Sequence, residues 1–115
     1  MENLTITLFR PVNDKELELI KESGWKKFPL RLPQQPIFYP VMNEEYAIQI
    51  AKDWNVPAYG VGYVLKFEMN KAYIDTFEIQ NVGGMIHNEL WILSEELETF
   101  NDNIVGVIEI IREYR

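Results

Sequence analysis

LTITLFRPVNDKELELIKESG, residues 4–24, holds a period-two stretch followed at once by a helical one. Leu4, Ile6 and Leu8 alternate with Thr5, Thr7 and Phe9, the spacing of a strand that turns one face inward. Pro11 ends it. Asn13 is then a helix cap, with Glu16 three residues on to complete a capping box. Leu17, Leu19 and Ile20 supply an apolar face. Gly24 is placed to stop the helix, because a left-handed exit costs least at glycine.

Outward from this unit, residues 25–36 carry three prolines and no period, which predicts a loop. Residues 37–41 have strand character, but Pro40 keeps them from the middle of a sheet. Asn43 caps a second helix whose first turn holds Glu44 and Glu45, where the helix dipole favours acids. Tyr46, Ala47, Ile50, Ala51 and Trp54 fall on one face of it, and residues 55–62 read as a turn. Residues 63–67 predict a strand and 70–74 a turn or a single helical turn. Residues 77–82 and 86–93 predict strands about a tip at Gly83 and Gly84. Ser94 caps a short acidic helix over 95–100, and 104–111 form a last strand with Gly106 at a bulge. Helices gather early and strands late. The expectation is therefore an α+β fold, one domain over residues 1–115, with a mostly antiparallel or mixed twisted sheet and two to three short helices.

Composition bounds the function. A chain of 115 residues with 47% hydrophobic and 25% charged residues has the size and balance of one globular domain. The absence of cysteine excludes thiol catalysis, thiolate metal sites and disulfides. No basic-then-apolar leader opens the chain, and no apolar run approaches the ~20 residues that cross a bilayer. The expectation is a cytoplasmic protein without a membrane partner. A net charge of −7 argues against nucleic acid as a partner. Lys26, Lys27 and Arg31, interleaved with Trp25 and Phe28, are the one basic cluster, either a solvated loop or a patch for a phosphorylated ligand.

The glycine pairs Gly60/Gly62 and Gly83/Gly84 do not form a phosphate loop. His87 is the single histidine, too little for an ordinary metal centre, and no serine sits in a nucleophile elbow. What remains is IHNELWI, residues 86–92. In a strand, His87, Glu89 and Trp91 share one face and Ile86, Asn88, Leu90 and Ile92 the other. His87 and Glu89 are then either solvated on an edge or presented together in a cleft. A carboxylate beside an imidazole can accept hydrogen bonds from a sugar diol and stabilise positive charge on a ribose carbon. Arg10, ending the first strand, meets either an internal carboxylate or a ligand anion. Tyr39 is either core with its hydroxyl at the rim or a platform for a flat heterocycle.

Leu8-Phe9-Arg10-Pro11-Val12 with a helix ending at Ser23-Gly24, Ile37-Phe38-Tyr39 leading to a helix around Tyr46-Ala47, and His87-Asn88-Glu89-Leu90-Trp91-Ile92 resemble, in that order, the three motif segments of ADP-ribosyltransferase domains. The chain is also similar to small bacterial proteins whose label joins ADP-ribosylation with J-type crystallin. The crystallin half implies a longer, metal-dependent chain and has no counterpart here. The resemblance implies an ADP-ribosyltransferase-like fold and NAD as substrate, with no metal. Glu89 would be the catalytic residue. Arg10 would hold ribose or phosphate and Tyr39 would stack on nicotinamide, with Tyr46 and His87 completing the NAD-binding set. It implies transfer of ADP-ribose to a protein or small-molecule acceptor, or hydrolysis of NAD. The chain departs from arginine-modifying members in having His87, not a second glutamate, two before Glu89. It also lacks their Ser-Thr-Ser stretch after the second strand. Two alternatives stand beside the enzyme. One is a catalytically inactive module of the same fold that binds a nucleotide or a basic partner. The other is a homo-oligomer through Trp25, Phe28 and the proline-rich loop.

Overall fold

The structure, a computed structural model, describes residues 4–29, 36–85 and 87–115; Arg31 and Ile86 lie outside that set. Strand β1 (Thr5–Val12) runs antiparallel to β3 (Gly62–Asn70), from Thr5 opposite Asn70 to Val12 opposite Tyr63. The other edge of β3 pairs antiparallel with β7 (Ile104–Tyr114), giving the order β1-β3-β7. Having a partner on each edge, the strand expected over 63–67 extends to all of 62–70. The remaining ladders are short and antiparallel: β2 (Ile37–Phe38) with β6 (Ile92–Leu93), and β4 (Gln80–Asn81) with β5 (Asn88–Glu89).

The broad strands expected at 77–82 and 86–93 thus reduce to two-residue pieces. Between β4 and β5 the backbone satisfies itself as a turn: Val82 N–H donates to His87 O at 3.0 Å and His87 N–H to Gly84 O at 3.2 Å. The Asn81 amide clasps the same turn through Gly84 O and Asn88 Oδ1, at 2.8 and 2.9 Å. Val41 ties these pieces to the main sheet, bridging to Phe9 on one side and Glu89 on the other. Its N–H donates to Phe9 O at 2.8 Å and its carbonyl accepts from Phe9 N–H at 2.9 Å. The ladder stops there because Pro11 comes next on the bonding edge of β1 and has no N–H to give, while Pro40 turns its carbonyl the other way, to Leu90 N–H at 2.9 Å. The sheet therefore splays beyond that bridge.

Alternation along β3 divides the interior. Tyr63, Leu65, Phe67 and Met69 face the main core, with Leu8, Phe28, Phe38, Leu90, Ile92, Leu97 and Phe100. The Phe28 ring meets Phe67 at 4.9 Å and Phe38 at 5.0 Å, and Phe38 meets Phe100 at 5.3 Å, tilted or edge-on as aromatic quadrupoles prefer. Val64 faces the opposite way, onto Val41, Ala47 and Ala51. Residues 62–65 are buried on both sides and read as an apolar run, whereas beyond them Lys66, Glu68 and Asn70 alternate with the core-facing residues. The radius of gyration, 13.5 Å, matches the roughly 13 Å expected of one compact domain this long.

Helix α1 (Asp14–Glu22) is capped as expected, Asn13 Oδ1 accepting from Glu16 N–H at 2.8 Å. It ends in a Schellman pair, Gly24 N–H to Lys21 O and Trp25 N–H to Ile20 O at 3.0 and 3.1 Å, with Gly24 at φ 79°. Ile20 is buried, while Leu19, expected on the same face, is half exposed. Neighbours on a helix lie about 100° apart, and Leu17 with Ile20 takes the inward stripe. The second helix begins as α2 (Glu44–Ile50), capped by Asn43, and does not stop at residue 55. It passes through a π-helical turn, Ala51–Asn55, into α3 (Val56–Tyr59). Pro57 cannot donate and its ring clashes with the carbonyl four residues back, so a wider turn precedes it. That extra residue per turn rotates Trp54 out, leaving it 72% exposed instead of buried. A single turn, α4 (Lys71–Ile74), follows β3. Ser94 lies within a 3-10 turn, Ser94–Glu96, that feeds α5 (Leu97–Asp102), with no side-chain cap at its start. Among the described residues the fold is α+β with antiparallel sheets and about four helices, not two to three. In β7 the expected bulge occurs: Lys66 faces Glu109 but Glu68 faces Val105, leaving Gly106 at φ 82° in the excess.

Candidate functional site

The splay beyond the Phe9–Val41 bridge opens a hollow of about 480 Å³, within the range of small-ligand sites, lined by Arg10, Pro11, Tyr39, Val41, Ile50, Glu89 and Trp91. The register explains the lining. Phe38 opposes Ile92 and Val41 opposes Glu89, so Tyr39 stands opposite Trp91. Directly opposed residues share a face, which puts Tyr39, Val41, Glu89 and Trp91 on the side covered by α2. Tyr39 and Trp91 are 42% and 45% exposed, whereas Glu89 is only 8% exposed.

Glu89 is buried but not charge-paired: among the described residues no cationic side chain forms an ion pair with it. Two neutral donors hold it. Tyr46 Oη donates to Oε2 at 2.9 Å, and Trp91 Nε1–H donates to Oε1 at 2.8 Å. Each carboxylate oxygen has two lone pairs, so acceptor capacity remains for a hydroxyl in the hollow. Tyr46 is aimed by its place in the first turn of α2, where its own N–H contacts the Asn43 cap. Burial, then the hydrogen bond to Glu89, then that carboxylate's charge hold the phenol protonated, and its pKa is pushed from 10.0 up to about 12. His87 packs on Tyr46 with ring centroids 4.6 Å apart, its Nε2 lying 2.8 Å from Gln49 Oε1. Tyr46 and His87 therefore support Glu89 in series, and neither lines the hollow itself.

Arg10 contributes to the wall but spends its charge elsewhere. It opposes Leu65, a core-facing position, so its side chain starts on the far face of the sheet. There Nε and Nη2 donate to the Glu16 carboxylate at 2.6 and 2.8 Å, and Nη1 to Tyr39 O at 3.3 Å. The guanidinium carbon lies 4.4 Å from the Phe38 ring centre. Arg10 and Glu89 are the two buried charged residues among those described, and both border one hollow.

Of the five expected site residues, the fold brings Arg10, Tyr39 and Glu89 to the hollow and sets Tyr46 and His87 behind Glu89. Sequence reasoning passed over Trp91 and Glu16. The period-two spacing from Glu89 was a signal for the first, and the capping-box acid three residues after Asn13 for the second. Of the basic cluster, Lys26 and Lys27 are exposed and Phe28 is in the core, while Arg31 lies outside the described residues. Another hollow, of about 560 Å³, lies among Leu19, Ser23, Lys27, Phe28 and Glu98, without a buried charged group. Among the described residues no group of three or more potential ligand side chains could hold a metal ion. No helix among them is long and apolar enough to cross a membrane. No family model, no curated protein and no solved structure matches the chain.

Proposed function

We propose that the chain binds NAD or a related nucleotide in the hollow beside Glu89, and there transfers ADP-ribose to an acceptor or hydrolyses NAD. The observation that carries this is a buried carboxylate, held by two neutral donors and by no cation among the described residues, bordering a cavity whose rim is aromatic. Glu89 would accept a hydroxyl of the nicotinamide ribose. As the bond from ribose C1′ to the ring nitrogen breaks, nicotinamide leaves with the electron pair and the ribose carbon becomes cationic. A carboxylate preset against that carbon, in a site of low dielectric, stabilises the charge as it forms. The acceptor's nucleophile, water in hydrolysis, bonds to C1′ and releases a proton. Tyr39 would stack the flat ring. Tyr46, with His87 behind it, is a positioning residue for the carboxylate.

A second reading, binding without turnover, is favoured by Arg10. With its guanidinium held by Glu16 and Phe38, it offers no free charge to a pyrophosphate.

The test is release of nicotinamide from NAD by the purified chain, read with thermal shifts for NAD, ADP-ribose and nicotinamide. Ligand at ~100 times its Kd adds ~2.7 kcal/mol. Glu89→Gln keeps the shape and one acceptor oxygen, so turnover is expected to vanish with the thermal midpoint nearly unchanged. Binding without turnover in the parent chain supports the second reading. The absence of a shift with any of these ligands refutes both.

A further inference from the structure

The two oxygens of Glu89 differ in what holds them. Oε2 accepts from Tyr46, which lies outside the hollow, and Oε1 accepts from Trp91, which lines it. The oxygen that a ligand would reach is therefore the one the indole holds. Arg10 lines the same hollow, but its Nε and Nη2 donate to Glu16 and its Nη1 to Tyr39 O, so it does not compete for Oε1. Glu89 is buried, whereas the indole that holds it is nearly half exposed.

Freedom at this position belongs to the side chain alone. Glu89 is laddered to Gln80 and bridged to Val41, Leu90 N–H donates to Pro40 O at 2.9 Å, and Ile92 pairs with Phe38. Leu90 and Ile92 are fully buried on the other face. The backbone is thus pinned on both sides of Trp91, while the indole stacks on no other ring among the described residues. Rotation about its Cα–Cβ bond breaks one hydrogen bond, and exposed side chains exchange rotamers fast. A donor that leaves Oε1 strands a buried acceptor unless another takes its place, which couples the swing to an arriving O–H or N–H. We infer that Trp91 is a gate on the Glu89 hollow. Shut, its N–H occupies Oε1; open, a donor on the ligand takes that oxygen and the indole closes over the ligand. The gate rests on the reading of the hollow as a ligand site, and not on NAD being the ligand.

The experiment has two arms without ligand and one with it, all on the full chain. In the first, Trp25→Phe and Trp54→Phe leave Trp91 as the single fluorophore. Adding Glu89→Leu removes the acceptor, and the expected result is a red-shifted emission that acrylamide quenches more strongly. In the second, a carbodiimide couples glycinamide to exposed carboxylates, and mass spectrometry reads the Glu89 peptide. Trp91→Phe keeps a ring without the N–H, so Glu89 should label about tenfold faster, the weight of one hydrogen bond to a charged group. In the third, the same variant should bind NAD about tenfold more tightly, because the ligand no longer displaces an indole donor. A merely structural indole would instead lower the thermal midpoint of Trp91→Phe with no gain in affinity. An emission unmoved by Glu89→Leu, a Glu89 that labels no faster in Trp91→Phe, or a Trp91→Phe chain that loses its fold would each overturn the inference. Should Glu89→Leu fail to fold, the labelling rate in Trp91→Phe decides alone. NAD that binds without moving the Trp91 emission sinks the gate and leaves the nucleotide reading standing. Both ligand-free results as expected, in a chain that NAD does not stabilise, do the reverse.

Discussion

Tyr46 places its one hydroxyl hydrogen on Glu89, and the consequence is a titration that can be read from outside. Its proton is held more tightly in the folded chain than in the unfolded one, since the pKa rises from 10.0 to about 12. The folded state is therefore favoured below pH 10, and that contribution drains away as pH climbs from 10 through 12. Tyr73 behaves likewise beside Glu96, to whose Oε1 it donates at 3.0 Å, with its pKa also raised, chiefly by burial. An ultraviolet phenolate titration should show one late tyrosine fewer in Tyr46→Phe than in the parent. The same variant should lose about 1 kcal/mol at neutral pH, from removal of one donor to Glu89. It should also fall less steeply above pH 10. An unchanged number of late tyrosines in Tyr46→Phe would mean that this phenol is not the group held protonated against the carboxylate.

At the scale of elements, the second helix depends on a close approach that a side chain would forbid. A Cβ on Gly62, the first residue of β3, would lie 2.6 Å from Ala51 O and 2.9 Å from Asn55 Cβ, both on the π turn. These neighbours are backbone and a helix-rooted carbon, so neither yields cheaply. Gly62→Ala is expected to cost about 1–3 kcal/mol, as overpacking does, and to shift the π turn. Chemical denaturation measures the first. The environment of exposed Trp54, followed by fluorescence in a Trp25→Phe, Trp91→Phe background, reports the second. A neutral Gly62→Ala would show that helix and strand are not packed this tightly.

Across the whole molecule, Arg10 joins elements that are far apart in the chain. From β1 it reaches Glu16 on α1, the Phe38 ring of β2 and the carbonyl of Tyr39, with its side chain about nine-tenths buried. Removing a partner from a pair buried to this degree is costly, and Arg10→Ala should destabilise the chain by about 3 kcal/mol. The expected signature is a large drop in thermal midpoint with little change in the affinity for NAD measured below it. A variant of unchanged stability that lost ligand affinity would return Arg10 to the binding surface.

Local spacing was enough for much of this fold. The cap at Asn13, the exit at Gly24, the cap at Asn43 and the bulge at Gly106 follow from side-chain and backbone chemistry within a few residues. So does the sharing of one face by Glu89 and Trp91, since strand alternation is a property of the chain itself. Other features needed partners remote in sequence. Whether Leu19 or Ile20 turned inward depended on what lay opposite, and Trp54 was displaced by a π turn that the apolar pattern does not encode. The strands about Gly83 and Gly84 shrank because the turn satisfied its own backbone. Burial of Glu89 with no cationic partner among the described residues, and commitment of Arg10 to Glu16, came only with tertiary structure. Sequence sets which residues can share a side of a strand. Which side is covered, and what charge waits there, is settled by distant segments packing together.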